Sequence, residues 1–510
     1  MAAETSNKKI AKNTVYLYFR MLFVMAVSIY SSRIVLNVLG AGDYGLYNVV
    51  GGVVAMLSFL NGTASSATSR YLAFYLGRGD LKNYQQTFSA AFFIHLGIAI
   101  LVALLCETLG IWFLYNKMTI DPERLEAAAW VFHLSVLSCF LTFTQVPYNA
   151  SIIAHERMNI YSYIGILEAV LKLVLLYLLS VSPYDKLKSW AFLLFLMSLT
   201  LALIYRIYCK FQFKECTISR VHDRALFKAL FSYSGWNTLG AITGIAQTQG
   251  INVVLNMFFT TVVNAARGVA YQVDAAVMNF IGNFLTAVNP QIVKAYASNN
   301  IERMCRLLLM AGKFSMLMFS CMAVPLILEA SYVLHLWLKN PPEYSVPFLQ
   351  LVLLNHFISL LNSVINLGVH ATGDVKRLNI YAGTISILKL PLAYLLLRLG
   401  CGPVWVFVSL IPMTLICLFA DIRVLCMNVE FNYPKFLRTV FLSNGCLMLV
   451  PFLLCLFLMY CMTSNFMRLL TMVVVYCISL ALIVYAFGIT TQERIKVNTF
   501  ISKRFKNNKP

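Results

Sequence analysis

Arg157-Met158-Asn159-Ile160-Tyr161 returns as Arg377-Leu378-Asn379-Ile380-Tyr381, 220 positions later. Each copy runs into the pattern Leu-Lys-Leu-x-Leu-x-Tyr-Leu-Leu, at Leu171–Leu179 and again at Leu388–Leu396. A chain that repeats itself at nearly half its length is built from two equivalent halves. Weaker matches agree: Leu36-Asn37 with Leu255-Asn256, and Tyr47-Asn48-Val49 with Tyr271-Gln272-Val273. Both long copies lie in apolar surroundings with a lysine at the centre. Repeated membrane halves that hold charge in their interior point to a transporter.

The surroundings decide the solvent. Of 510 residues, 60% are hydrophobic and 12% charged, about half the charged share of a soluble protein. No aqueous core hides that much apolar surface, so lipid is the solvent for most of the chain. A span needs about 20 apolar residues. On that ruler the sequence divides into roughly 15–38, 44–69, 84–114, 126–153, 158–180, 189–209, 233–258, 261–290, 306–338, 345–370, 377–399, 402–426, 436–462 and 465–488. The expected fold is therefore an all-α polytopic membrane protein of about 14 transmembrane helices. It has two pseudo-symmetric six-helix lobes plus two C-terminal helices.

The expected organisation is an N-terminal lobe over 1–210, a basic linker over 211–232, a C-terminal lobe over 233–429, and the last two spans with a basic tail over 430–510. Pro147, Pro325, Pro391 and Pro412 fall inside spans as candidate kinks. The N-terminal stretch reads as a retained first span rather than a cleaved signal, since it lacks a short apolar run with a small-residue cleavage site.

Placing the N-terminus in the cytoplasm puts 27 Lys and Arg on that side and seven on the other. This loop-by-loop asymmetry places both termini in the cytoplasm. It also accounts for the net charge of +20 without nucleic acid. The thirteen cysteines are scattered, with no Cys-x-x-Cys pair, and read as small buried hydrophobes. No phosphate-binding Gly-rich loop, nucleophile–base pair or metal spacing is present. No resident cofactor is expected, and the chain reads as a transporter rather than an enzyme.

Six basic residues remain inside spans: Arg20, Arg33, Lys172, Arg267, Lys313 and Lys389. Each costs about 2.5–3.5 kcal/mol at a helix centre, so each faces water, pairs with an acid or snorkels. Against them the sequence sets two clear intramembrane acids, Glu168 and Asp274. A cationic interior suits an anionic ligand. On the eighth span Asn264, Arg267, Tyr271, Asp274 and Met278 follow spacings of three and four, which puts them on one face. On the fifth, Tyr161, Gly165, Glu168 and Lys172 form a similar stripe, with Glu168 and Lys172 as an i, i+4 pair. Lys389 has Ile385 and Ser386 where an acid would balance it, which makes it the better ligand candidate of the two lysines. Arg20 and Arg33 lie on different faces of the first span, and one of them lines the cavity. The seventh span carries Gln247 and Asn252 among several amides and hydroxyls, as a helix beside water would. His95, His133 and His370 read as structural.

The strings Leu36-Asn37-Val38-Leu39-Gly40, Asp43-Tyr44-Gly45-Leu46-Tyr47-Asn48-Val49-Val50-Gly51-Gly52, Ser66-Ala67-Thr68-Ser69-Arg70-Tyr71 and Asn264-Ala265-Ala266-Arg267-Gly268-Val269-Ala270-Tyr271-Gln272-Val273 resemble those of the bacterial polysaccharide (O-antigen type) flippases of the MATE-like superfamily. The resemblance implies two six-helix lobes around a V-shaped cavity that opens alternately to either side. It implies a cargo of undecaprenyl-pyrophosphate-linked oligosaccharide crossing the bacterial inner membrane, within O-antigen, capsule or related polysaccharide synthesis. Its partners would be membrane lipids, a polysaccharide polymerase and a chain-length regulator. Related peptidoglycan-precursor flippases use cavity arginines on spans one, two and eight. Arg267 matches the eighth and Arg20 or Arg33 the first, whereas span two carries no interior arginine here. The anionic head group would then meet Arg267, Arg33, Arg20, Lys389 and Lys172. Asn264, Tyr271, Gln247 and Asn252 would line the cavity, and Asp274 or Glu168 would carry a coupling proton or sodium ion. A multidrug exporter of the same superfamily would call for an acid-rich cavity. A polysaccharide polymerase or ligase would call for a large periplasmic loop.

Overall fold

The computed structural model describes residues 2–56, 59–116, 120, 122–219, 224–259, 261–338 and 340–488. Those residues are helical almost throughout, in the order α1 Ala2–Met56, α2 Phe59–Arg78, α3 Leu81–Leu105, α4 Ile111–Asn116, α5 Leu125–Ala154, α6 Met158–Val181, α7 Lys186–Gln212, α8 Arg224–Phe258 and α9 Thr261–Ala297. The series continues with α10 Ile301–Leu328, α11 Ala330–Leu338, α12 Ser345–Thr372, α13 Val375–Arg398, α14 Pro403–Asn428, α15 Tyr433–Phe436, α16 Ser443–Cys461 and α17 Phe466–Ile483. Lipid offers the backbone no hydrogen bonds, so helices that satisfy themselves are the only economical open-chain solution. The all-α expectation holds. Ten helical segments among the described residues are long and apolar enough to cross a membrane. The first arm of α1, α8 and α9 are long enough to span but fall outside that apolar set, and α8 and α9 carry the polar residues of the expected seventh and eighth spans.

Local chemistry sets the breaks. Gly40 has φ 77°, a left-handed conformation open to glycine at no steric cost, and it divides α1 between the two expected first spans. The Asp80 carboxylate accepts from the Asn83 backbone N–H at 3.0 Å and opens α3. Asp185 does the same for α7 through Lys188 N–H at 2.9 Å. Pro147, Pro325, Pro391 and Pro412 all lie inside helices, in α5, α10, α13 and α14. The expected ninth span is broken at Glu329 into α10 and α11. The basic tail beyond residue 488 and linker residues 220–223 lie outside the described residues.

The chain forms two compact units. The first holds residues 1–243, 286–304 and 370–380. In it α5 packs against α2, α3 and α7, and α1 against α6. One core joins Val102, Leu114, Phe132 and Phe143, and another joins Val35, Leu176, Leu179 and Trp190. The second unit holds residues 244–285, 305–369 and 381–510. Its core runs through Leu255, Ala270, Ile281, Phe319, Phe348, Leu353 and Phe407, and α16 packs along α17.

At one end of the first unit Arg124 bridges Asp43 and the helix cap Asp185. Burial works to raise the Asp185 carboxyl, but the Lys188 N–H and the Arg124 guanidinium outweigh it and hold it below the usual carboxylate range. Burial wins at Asp43, whose carboxyl is raised despite Arg124. Asp185 thus contributes stability at neutral pH that is lost as pH falls through its lowered value. Asp43, raised even with Arg124 beside it, opposes folding at neutral pH, and opposes it more once Arg124 is removed. Arg124→Ala should therefore cost ~1–2 kcal/mol at pH about 7, since one cation serves two partly exposed carboxylates. Thermal melts in detergent should show that cost shrinking as both carboxylates protonate. An equal cost at acid and neutral pH would contradict this account.

Candidate functional site

Arg267 and Asp274, two turns apart on α9, are both buried in the second unit. Arg267 reaches back to α8. Its Nη1 donates to the Asn252 side-chain oxygen, and its Nη2 donates to the Thr248 carbonyl at 3.0 Å. The guanidinium carbon also lies 4.5 Å from the centre of the Tyr271 ring, a cation–π contact. Its Nε is buried and makes no hydrogen bond. Two arms of the fork are thus pinned while a third donor stays unsatisfied, which is costly in a buried place. Gln247 lies half-buried on the same stretch of α8.

Asp274 faces α12, where His356 Nδ1 comes within 2.6 Å of its carboxylate. Sequence reading passed over His356 because one histidine in an apolar span carries no periodic signal. Tyr271, between Arg267 and Asp274, interacts electrostatically with both. α9 therefore carries two separate polar groups, Arg267 with Asn252 and Tyr271 toward α8, and Asp274 with His356 toward α12.

Lys389 on α13 is buried, but it is not the lone cation the sequence suggested. It interacts electrostatically with Asp421 and Cys417 on α14. Asp421 is itself buried and accepts a hydrogen bond from Asn366 on α12. Asp421 and Glu329 are thus buried acids within the apolar spans that the count of two left out. Glu329, buried between α10 and α11, pairs with Arg468 at the start of α17 at 2.6 Å. Lys313 donates to the Gly488 carbonyl, and Asn444 donates to its backbone carbonyl at 3.2 Å. That anchors α10 to the last two spans.

In the first unit Arg20 lies on the fifth-span stripe. Its guanidinium stands 4.3 Å from the Tyr161 ring centre. A Cβ at Gly165 would come within 2.1 Å of its Nε, so glycine is what lets the side chain lie flat on α6. The Arg20 Nε is buried without a hydrogen bond. Glu168 interacts with Arg20 more strongly than with its i, i+4 neighbour Lys172. The side chains of Arg33 and Asn264 lie outside the described residues.

The same unit gathers helix ends that the charge count assigns to one face. Glu156, in a left-handed turn between α5 and α6, accepts from Lys294 at 2.6 Å and from Gln291 at 2.5 Å. Arg303 donates to Gln291 at 3.1 Å. Arg70 donates to the carbonyls of His370 at 2.7 Å and Ala371 at 3.1 Å. The Tyr233 hydroxyl lies 2.7 Å from His370 Nδ1. The ends of α9 and α12 are thereby fastened to α2, α5 and α8 within one compact body. Arg70 is spent on structure here.

The sequence matches no family profile and no curated protein. Solved structures do match. A MATE structure in a bent conformation aligns over 82% of this chain and 95% of its own, with TM-score 0.71 and 14% identity. A multidrug resistance MATE family transporter of the MOP superfamily, in an outward-facing conformation, aligns over 82% and 97%, with TM-score 0.69 and 14% identity. A MOP superfamily transporter from Pyrococcus furiosus, described as having a binding pocket of reverse polarity that suggests a different function, aligns over 81% and 96%, with TM-score 0.67 and 15% identity. The chain therefore has the fold of the MATE transporters.

The Lys389–Asp421 pair invites a direct test of structure against ligand binding. Lys389→Met removes a cation that acts on the buried Asp421 and should cost about 1–3 kcal/mol. Adding Asp421→Asn should recover most of that loss in detergent melts. Equal instability of the single and double variants would mean that the two side chains are not coupled.

Proposed function

We propose that the chain is a flippase that carries lipid-linked oligosaccharides, with a pyrophosphate head group, across the bacterial inner membrane by ion-coupled alternating access. One observation carries this reading: Arg267 and Arg20 are both held inside their units with a buried Nε that has no acceptor. A buried charged donor is costly until an acceptor reaches it. Phosphate oxygens supply that acceptor in a geometry matched to the guanidinium fork. The MATE-like fold supports a membrane exporter, and the amide-bearing α8 suits the hydrophilic glycan. Lys389 and Lys172 would add positive charge, and Arg33 and Asn264 belong to the same proposed lining. The basic ends of the helices would face the cytoplasm, with both termini there. A polymerase and a chain-length regulator would receive the product.

The multidrug reading has its own support. One of the aligned structures is a multidrug resistance transporter, and Asp421, Asp274 and Glu329 supply buried carboxylates. Proteoliposomes separate the two. The full-length protein should flip a fluorescent undecaprenyl-pyrophosphate oligosaccharide and leave a cationic dye in place. Arg267→Ala should abolish flipping with protein abundance unchanged. Movement of the dye without the glycan would establish the multidrug reading instead, and full activity of Arg267→Ala would remove Arg267 from the site.

A further inference from the structure

Not every ion pair within the helices is shielded. Asp274 with His356 and Glu329 with Arg468 leave little of either side chain exposed. Glu107 with His133 differs: its carboxylate lies 2.9 Å from His133 Nδ1, yet the side chains stay 39% and 49% exposed. Both residues fall inside helical segments long and apolar enough to cross a membrane. Glu107 stands in a π-helical turn, Cys106–Gly110, that follows α3, and His133 stands on α5. Such turns are rare within helices and gather at functional sites. A Cβ at Gly110 would come within 2.6 Å of the Phe132 ring, so glycine lets the turn close onto α5 beside His133.

The surface around the pair is apolar, with Leu104, Leu105, Leu109 and Leu137 all exposed. Toward the α4–α5 connection come Trp112 and Trp130, 55% and 50% exposed, the residue type that collects where head groups meet acyl chains. Beyond them Glu126, itself exposed, takes Lys188 at 2.7 Å and marks the aqueous end. His133 lies two turns below Glu126, about 10 Å along the helix. The head-group layer is about 5–7 Å deep in each leaflet, so the pair sits at its inner edge.

We propose that Glu107 and His133 form a binding site for the head group of an aminophospholipid, a primary ammonium joined to a phosphodiester. The two side chains answer each other's charge, as the buried pairs do, but their contact uses a fraction of their hydrogen-bonding capacity. A carboxylate has about four acceptor sites, and His133 reaches it through Nδ1 alone. Nε2 has no partner among the described residues. Against hydrocarbon, unfilled polar positions are costly. An ethanolamine ammonium brings three N–H donors to the carboxylate, and its phosphodiester accepts from Nε2–H of the imidazolium. The zwitterion thus meets the carboxylate–imidazole pair donor to acceptor at both ends. A choline head group keeps the positive charge but has no N–H to donate, and a glycerol head group has no ammonium. Selection for the amine therefore comes from hydrogen bonds rather than from charge alone.

Two measurements on the full-length protein in nanodiscs of phosphatidylethanolamine, phosphatidylcholine and phosphatidylglycerol test this. The first needs no variant. A hydrophobic carbodiimide should join the ethanolamine amine to the Glu107 carboxylate as an amide, read by mass spectrometry as a lipid adduct on the peptide that holds Glu107. A Glu107 peptide without that adduct overturns the site. The second weighs the lipids that stay on the intact protein in native mass spectra. Phosphatidylethanolamine should be retained over phosphatidylcholine by about tenfold, the worth of one hydrogen bond to a charged group. That preference should disappear in Glu107→Gln and weaken in His133→Ala. Equal retention of the two lipids by the wild type, or a full preference in Glu107→Gln, overturns the proposal. Phosphatidylglycerol held as firmly as phosphatidylethanolamine would show a site for phosphate alone and overturn the amine assignment. A dimer in the same spectra that Glu107→Gln dissociates would give this face to a second copy of the chain instead.

Discussion

Charge inside hydrocarbon must be answered within the protein, and in this chain the answer comes from a neighbouring helix. Arg267 on α9 is met by α8, Asp274 on α9 by α12, Lys389 on α13 by α14, and Glu329 by the start of α17. Arg20 on α1 lies across α6. Each contact pins two helices at one depth and rotation, which apolar packing alone does worse, because lipid tails compete equally for apolar faces. The costly residues are thus also the ones that register the bundle.

This dual role explains which parts of the site could be read from sequence. The fold class was legible because it rests on composition and on span length, both local. The break at Gly40 could be bracketed between two apolar runs, and the prolines could be assigned to spans. The stripe of Arg267, Tyr271 and Asp274 was legible because helical spacing puts them on one face. Partners from other helices were not. Lys389 and Asp421 lie on successive spans with no periodicity to connect them, and His356 stands alone among apolar neighbours on α12. Such pairs exist only after packing, so a count of charges by span left the balance too positive.

The repeat that revealed two halves does not mark the limits of the compact bodies. Residues 286–304 and 370–380 belong with the first unit, because polar contacts fasten those helix ends to it. Glu156 is central to that fastening. It sits at φ 59°, a conformation costly for a residue with a side chain, and its carboxylate holds both Gln291 and Lys294. Arg157, which belongs to the repeated motif, follows it directly and serves as the residue before α6. The repeated arginine closes the turn, and the unrepeated glutamate beside it binds the neighbouring helix ends.

The same division separates architecture from chemistry elsewhere. Residues that recur between the halves, such as the two Asn-Ile-Tyr stretches and the central lysines, lie inside α6 and α13 and mark equivalent helices. Residues without a counterpart carry the distinguishing charge. Lys172 has Glu168 on its own helix, whereas Lys389 depends on Asp421 from the next. Asp274 is joined to a histidine. A duplicated scaffold fixes where polar groups can be held, and divergence of single residues decides what they hold. Equal halves would present equal surfaces to a ligand. The unequal ones here place a guanidinium against α8 and a carboxylate with an imidazole against α12, so the second half holds polar groups that the first does not match.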